Sequence, residues 1–215
     1  MTSRMTLAIL ISGNGSNLQA IIDAIEAGRL NAEITAVVSD NPEAYGLSRA
    51  TRHNLHSRVI DARDYASRSD YDEALQHYLE LIAPDYIVLA GFMRILTPGF
   101  IEAFEHRILN IHPSLLPAYK GLNTYQRALD NGETQHGVSI HLVTAELDAG
   151  PIIIQAGYAI EAGDSVEDLQ IRGHQLEHMM YPQVLSWLSD NRLTIKDGQI
   201  YYEKALLEQP ILFDR

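Results

Sequence analysis

Apolar positions along this chain follow two rhythms, short continuous runs and a helical 3.6-residue period, and the two alternate. Residues 7–11 (Leu-Ala-Ile-Leu-Ile) form a run of strand length. Residues 17–27 then place Leu18, Ile21, Ile22 and Ile25 on one face of a helix that Gly28 stops. The pairing repeats as strand 34–39, helix 44–53, short strand 58–60, helix 70–82 ending before Pro84, and strand 86–90. A fifth strand covers 108–111, and two more cover 138–143 and 152–160. Residues 165–190 carry a long helical pattern, which Pro182 is expected to kink. Lys196-Asp197-Gly198-Gln199 reads as a hairpin turn between strands 193–195 and 200–202. No pattern is legible after Glu208, and the tail beyond residue 205 is expected to be loosely ordered.

Strand–helix alternation in the first half predicts an α/β fold, a parallel sheet with helices on both faces. Ligands of such sheets bind outside the carboxyl ends of the strands. Here those ends are residues 12–17, 39–41, 91–94 and 110–112. With no repeat, linker or low-complexity tract, residues 1–215 are expected to form one domain. Composition narrows the partners. A net charge of −12, from 28 acidic and 16 basic side chains, argues against nucleic acid, whose phosphates need a basic face. The absence of cysteine excludes disulfides, thiol nucleophiles and thiolate metal sites. No run of 18 apolar residues suggests a membrane span, no signal peptide precedes the first strand, and a cytoplasmic location is the default expectation.

The densest chemistry lies in Asn110-Ile111-His112-Pro113-Ser114-Leu115-Leu116-Pro117 and in Glu146-Leu147-Asp148-Ala149-Gly150-Pro151. Side chains two apart on a strand point the same way, so Asn110 and His112 share a face. Pro113 keeps His112 extended at the strand's exit. An amide donor beside an imidazole suits a reaction through a tetrahedral oxyanion; strand capping before a proline-bounded loop would use the same residues. Asp148 could tune the imidazole or merely form an Asx-turn. The loop Ser12-Gly13-Asn14-Gly15-Ser16-Asn17 offers backbone N–H groups to an anion, with Ser16 and Asn17 as helix caps. It fits neither a dinucleotide fingerprint nor a P-loop, and a ligand-free capped turn remains open. His174-Gln175-Leu176-Glu177-His178 matches an inverted zinc-peptidase pattern without a third ligand in view; a helix face, or Glu177 holding an amine-bearing substrate, reads it as well.

Taken together, these segments resemble the folate-dependent glycinamide ribonucleotide formyltransferases. The resemblance runs through residues 11–20, Val88-Leu-Ala-Gly-Phe-Met-Arg-Ile-Leu96, residues 109–117, residues 146–153 and Glu177-His178, and spans 5–205. It implies a mostly parallel twisted sheet with antiparallel additions in the C-terminal half. It implies formyl transfer from 10-formyltetrahydrofolate to the amine of 5′-phosphoribosylglycinamide, with no metal. The matched catalytic positions are Asn110, His112 and Asp148. Gly15, Ser16 and Asn17 match the phosphate-holding positions and Glu177 a ribonucleotide ligand, with His174 one helical turn before it. Met93, Arg94, Ile95 and Leu96 match the pterin pocket. Thr144, Ala145, Glu146, Leu147 and Asp148 match the loop that closes over it, and Arg68 a folate-contacting arginine. Small-molecule partners follow, with the chain a monomer or homodimer.

The chain departs from the family pattern at Asn123 and Tyr125, where many relatives carry histidines, and at Lys120, where some carry proline. His141 is read first as a structural hydrogen-bonder. A formyltetrahydrofolate hydrolase would use the same three catalytic residues but usually adds an N-terminal regulatory domain, for which the early first strand leaves no room. Methionyl-tRNA formyltransferase is disfavoured by the acidic chain, and a non-catalytic folate or nucleotide module by retention of all three residues.

Overall fold

A computed structural model describes residues 4–214. In chain order the elements are β1 (Met5–Ile11), α1 (Ser16–Glu26), β2 (Ala32–Ser39), α2 (Tyr45–Arg52), β3 (Ser57–Val59), α3 (Arg68–Ile82), β4 (Tyr86–Leu89), α4 (Pro98–Ala103) and β5 (Ile108–His112). They continue with α5 (Thr124–Asp130), β6 (Gln135–Leu142), β7 (Ile152–Ala159), α6 (Val166–Ser189), β8 (Leu193–Lys196), β9 (Gln199–Tyr202), β10 (Ala205–Leu206) and β11 (Ile211–Leu212).

Eight strands build the main sheet in the order β11-β7-β6-β5-β4-β1-β2-β3. From β5 to β3 the pairs are parallel, as the alternation predicts, while β6 runs antiparallel to both β5 and β7. β1 sits inside the sheet and every side chain from Leu7 to Ile11 is fully buried. The pleat sends alternate residues to opposite faces. Leu7, Ile9 and Ile11 pack with Leu18 and Ile21 of α1 and with Tyr181 and Leu185 of α6. Ala8 and Leu10 pack with Leu75 and Leu79 of α3 and Phe100 of α4. The chain leaves β1 towards β2 on one side and returns to β4 on the other. The gap between β1 and β4 is therefore the point where strand order reverses, and loops 12–17 and 90–96 leave the sheet beside it.

Three sequence expectations need correction. Neither Ser16 nor Asn17 caps α1: Gly15 is the N-cap, in the left-handed region at φ 71°, and no side chain caps there. Gly15 also lies so close to Gly46 that a Cβ on it would stand 2.7 Å from the Gly46 Cα. α4 and α5, which the sequence reading lacked, are too short for a helical period to show, six and seven residues, and only α4 carries a start signal. For α4 the signal is Thr97 capping the Phe100 amide with Pro98 at the first position. The tail forms β10 and β11, the latter parallel to β7. α6 runs through Pro182 as one 24-residue helix, closed at its start by a reciprocal Ser165–Asp168 capping box. Among the described residues no helix is long and apolar enough to cross a membrane.

α6 is locked to the sheet by one buried phenol. The Tyr181 hydroxyl lies 3.0 Å from both the Leu89 and Leu109 carbonyls, on the neighbouring strands β4 and β5. Tyr181→Phe should keep the fold and cost about 1–2 kcal/mol, because buried carbonyls lose their donor. Urea denaturation measures this, and an unchanged midpoint would refute it.

Candidate active site

The site forms where β5 ends. In the β5–β6 register Asn110 stands opposite His141 and His112 opposite Ser139. His141 gives its Nδ1 hydrogen to the Leu142 carbonyl at 2.8 Å. Burial pushes this imidazole below its ordinary pKa, so it is neutral near pH 7 and its Nε2 accepts. The acceptor meets the Asn110 amide nitrogen at 3.1 Å. Asn110 is thereby turned amide-first, with one N–H bound and one to spare. His141 is thus buried, hydrogen-bonded at both nitrogens and part of the cluster.

Asp148 reaches the same place from the loop between β6 and β7. Its Oδ2 lies 3.5 Å from His112 Nδ1 and its Oδ1 3.7 Å from His141 Nε2. Instead of closing a local Asx-turn, the carboxylate accepts the Gly121 N–H at 2.8 Å. Asp148 itself has φ 48°, a sterically unfavourable conformation for a non-glycine residue held where surrounding contacts fix it. The other nitrogen of His112, Nε2, donates to the Tyr119 carbonyl at 2.9 Å. Both ring nitrogens therefore face acceptors, and a second proton on the ring would meet Asp148.

A second cluster joins α1 to α6. Asn17 gives a hydrogen from its amide to Glu177 at 2.7 Å, and both are buried. Burial pushes the Glu177 carboxyl above the usual range, while the Asn17 hydrogen bond and the positive potential of His174 and His112 oppose the rise. Glu177 thus turns inward, away from the metal-binding geometry its sequence pattern suggested. His174 and His178 stack with ring centroids 6.1 Å apart, and among the described residues no group of three or more His, Cys, Asp or Glu is arranged to hold a metal. The first loop is pinned from outside by Arg49, which donates to the Asn14 carbonyl at 2.9 Å, the Asn14 side chain at 2.9 Å and Gln19 at 3.2 Å. Sequence reading missed Arg49, since nothing in α2 marks it without the tertiary contact.

The remaining expected residues lie in the segments after β4 and β6, at the start of α3 and around the start of α5. Met93 and Ile95 are exposed, and Arg94 stacks its guanidinium over Tyr71 at 4.4 Å. Met93 N–H donates to the Ser12 hydroxyl at 2.9 Å, tying this loop to the first one. Leu96 is buried. Thr144, Ala145, Glu146 and Leu147 are exposed, with Glu146 bridged to Lys120 at 3.0 Å. Arg68 opens α3, exposed and without a hydrogen-bond partner in the structure. Asn123 sits in the left-handed region before α5 without capping it, and Tyr125 is buried.

A mixed sheet with an Asn–His–Asp cluster at a strand end, beside a glycine loop, suits group transfer through a tetrahedral oxyanion. Residues 5–185 match the formyl transferase family, and the chain belongs to it. It is 47% identical over 199 residues to a phosphoribosylglycinamide formyltransferase of Escherichia coli, covering 93% of this chain and 94% of the relative. The Haemophilus influenzae enzyme of the same name is 45% identical over 201 residues, covering 93% and 95%. The solved phosphoribosylglycinamide formyltransferase of Coxiella burnetii superposes with a TM-score of 0.92 at 47% identity, over 98% of this chain and all of that one.

Burial also lowers the pKa of His136, which gives its Nε2 hydrogen to the Pro113 carbonyl at 2.8 Å. With two imidazoles depressed in the folded state, the unfolded chain binds more protons as pH falls below 6.5. The stability they confer is complete above that value and is lost on acidification. His136→Gln should flatten the fall of the urea midpoint between about pH 6.5 and 5; parallel curves for the two proteins would assign the acid loss elsewhere.

Proposed function

We propose that this enzyme transfers the formyl group of 10-formyltetrahydrofolate to the amine of 5′-phosphoribosylglycinamide, giving the N-formyl ribonucleotide and tetrahydrofolate. The observation that carries the reading is the convergence of His112 and His141 on Asp148 with Asn110 beside them. That set supplies an oxyanion donor and a proton carrier, and no nucleophile. None is needed, because the attacking nitrogen belongs to the substrate.

The amine nitrogen adds to the formyl carbon, and the carbonyl oxygen takes up the electron pair. The spare N–H of Asn110 stabilises that oxyanion. The carbon–nitrogen bond to folate then breaks as the carbonyl re-forms. One proton travels from the attacking nitrogen to the departing one, with His112 as the carrier. Asp148 stabilises the imidazolium while the ring holds that proton. To act, His112 gives up its hydrogen bond to the Tyr119 carbonyl and carries its resting hydrogen on Nδ1, towards Asp148, so that Nε2 is free to take the substrate proton.

Backbone N–H groups at Gly15, Ser16 and Asn17 hold the phosphate at the start of α1. Glu177 accepts hydrogens from the ribonucleotide, with His174 at its edge. On the other side Met93, Ile95 and Leu147 offer exposed apolar surface for a flat ring. Backbone groups of Arg94 and Leu96 and of the loop through Thr144, Ala145 and Glu146 read the ring's edge, and Arg68 faces the acidic tail of the folate. The scheme calls for no metal, and the partners are small molecules.

The test is folate product formation with the ribonucleotide added or omitted. Turnover should require it; turnover regardless of it would make the enzyme a hydrolase. His112→Asn should slow transfer about 10²–10⁴-fold with the fold intact, and Asn110→Ala about 10²–10³-fold. Near-wild-type rates in either variant would remove that residue from the mechanism. Glu177→Ala should raise the KM for the ribonucleotide more than that for folate, and the reverse order would exchange the two subsites.

A further inference from the structure

The chemistry above leaves Tyr125 unused. It is the second residue of α5 and is buried, and its ring meets His136 edge-on with centroids 5.2 Å apart. His136 holds the Pro113 carbonyl, which also accepts the Thr124 hydroxyl at 2.6 Å. Pro113 is bonded to His112, so the Tyr125 ring is one contact and one hydrogen bond from the backbone carrying the reactive imidazole.

On its other side the ring meets α6 at Gly173. A Cβ placed there would stand 2.5 Å from the phenol oxygen and 3.3 Å from two ring carbons. A glycine inside a 24-residue helix is a poor helix former. Gly173 has ordinary helical backbone, so its use here is the room it leaves. Residues 173 and 177 lie four apart on one helix face. The seat of the phenol is therefore one turn from Glu177, whose negative charge acts on it. The hydroxyl is buried and has no hydrogen-bond partner among the described residues. What Tyr125 supplies is shape.

Given the ribonucleotide subsite assigned above, we infer that Tyr125 and Gly173 form a positioning pair. The ring is a wedge that sets the spacing between the helix bearing Glu177 and the Pro113–His112 segment. A ribonucleotide held by Glu177 then presents its amine at the distance His112 requires.

The experiment compares the wild type with Gly173→Ala, Tyr125→Leu and Gly173→Ala/Tyr125→Phe, measuring kcat, both KM values and Tm. Gly173→Ala should lower kcat/KM for the ribonucleotide at least tenfold and leave the folate KM within twofold. Tyr125→Leu, which removes the wedge without touching the helix, should give the same split. The double variant should recover at least threefold over Gly173→Ala, because the oxygen at 2.5 Å is gone. Wild-type kinetics in Gly173→Ala, or equal losses for both substrates that track Tm without recovery in the double variant, would overturn the pair. Should Gly173→Ala fail to fold, the split in Tyr125→Leu decides alone. A wild type that turns over folate without the ribonucleotide would instead overturn the functional reading on which the pair rests.

Discussion

The register of β6 against β5 is the constraint on which the site depends. It sets His141 opposite Asn110 and directs the chain after Leu142 so that Asp148 returns over both strands. A slip of one residue would send His141 to the opposite face and leave the Asn110 amide without its orienting acceptor. The register is held by burial: Val138, Ile140 and Leu142 belong to the core, and each would have to leave it. The catalytic geometry is thus a by-product of packing on one face of an antiparallel pair. The parallel half of the sheet contributes the ends of β1 and β4, where the loops 12–17 and 90–96 begin.

Charge is distributed in a way that net composition conceals. The chain carries −12 overall, yet the first loop presents backbone N–H groups and is braced by the Arg49 guanidinium. Local dipoles and one fixed cation decide what that loop accepts, while the surplus of carboxylates bears on long-range encounter. Glu177 shows the converse. Its environment works against a free charge, and its hydrogen bond to Asn17 restrains it at the junction of α1 and α6.

Much of this was legible in the sequence. The strand runs and amphipathic helices of the first half appear in their expected places, because each long element carries its own period. Asn110, His112 and Asp148 could be grouped through the family motifs, and the structure brings them together with His141. The rest needs the third dimension. α4 and α5 are shorter than the window in which a helical period shows. Asn17 looked like a cap because amides often are, but its side chain reaches Glu177, 160 residues away. The pinning by Arg49 and the fit of Tyr125 against Gly173 are contacts between distant elements, and neither leaves a mark in local spacing. The H-x-x-E-H pattern is ambiguous for the same reason, since spacing along a helix cannot say that its glutamate faces inward.

The tail, which has no readable period, closes an edge of the main sheet. Ile211 and Leu212 pair with Ile154 and Gln155, and Phe213 N–H donates to the Gln155 carbonyl at 2.8 Å. That pairing covers the middle of the flank, at two of the eight β7 residues. Without it the flank of the eight-residue β7 would be bare, a row of unpaired peptide groups able to template a strand from another molecule. Residues 211–213 therefore interrupt that row at its middle, so a strand arriving from another molecule meets a broken template, far from the Asn–His–Asp cluster.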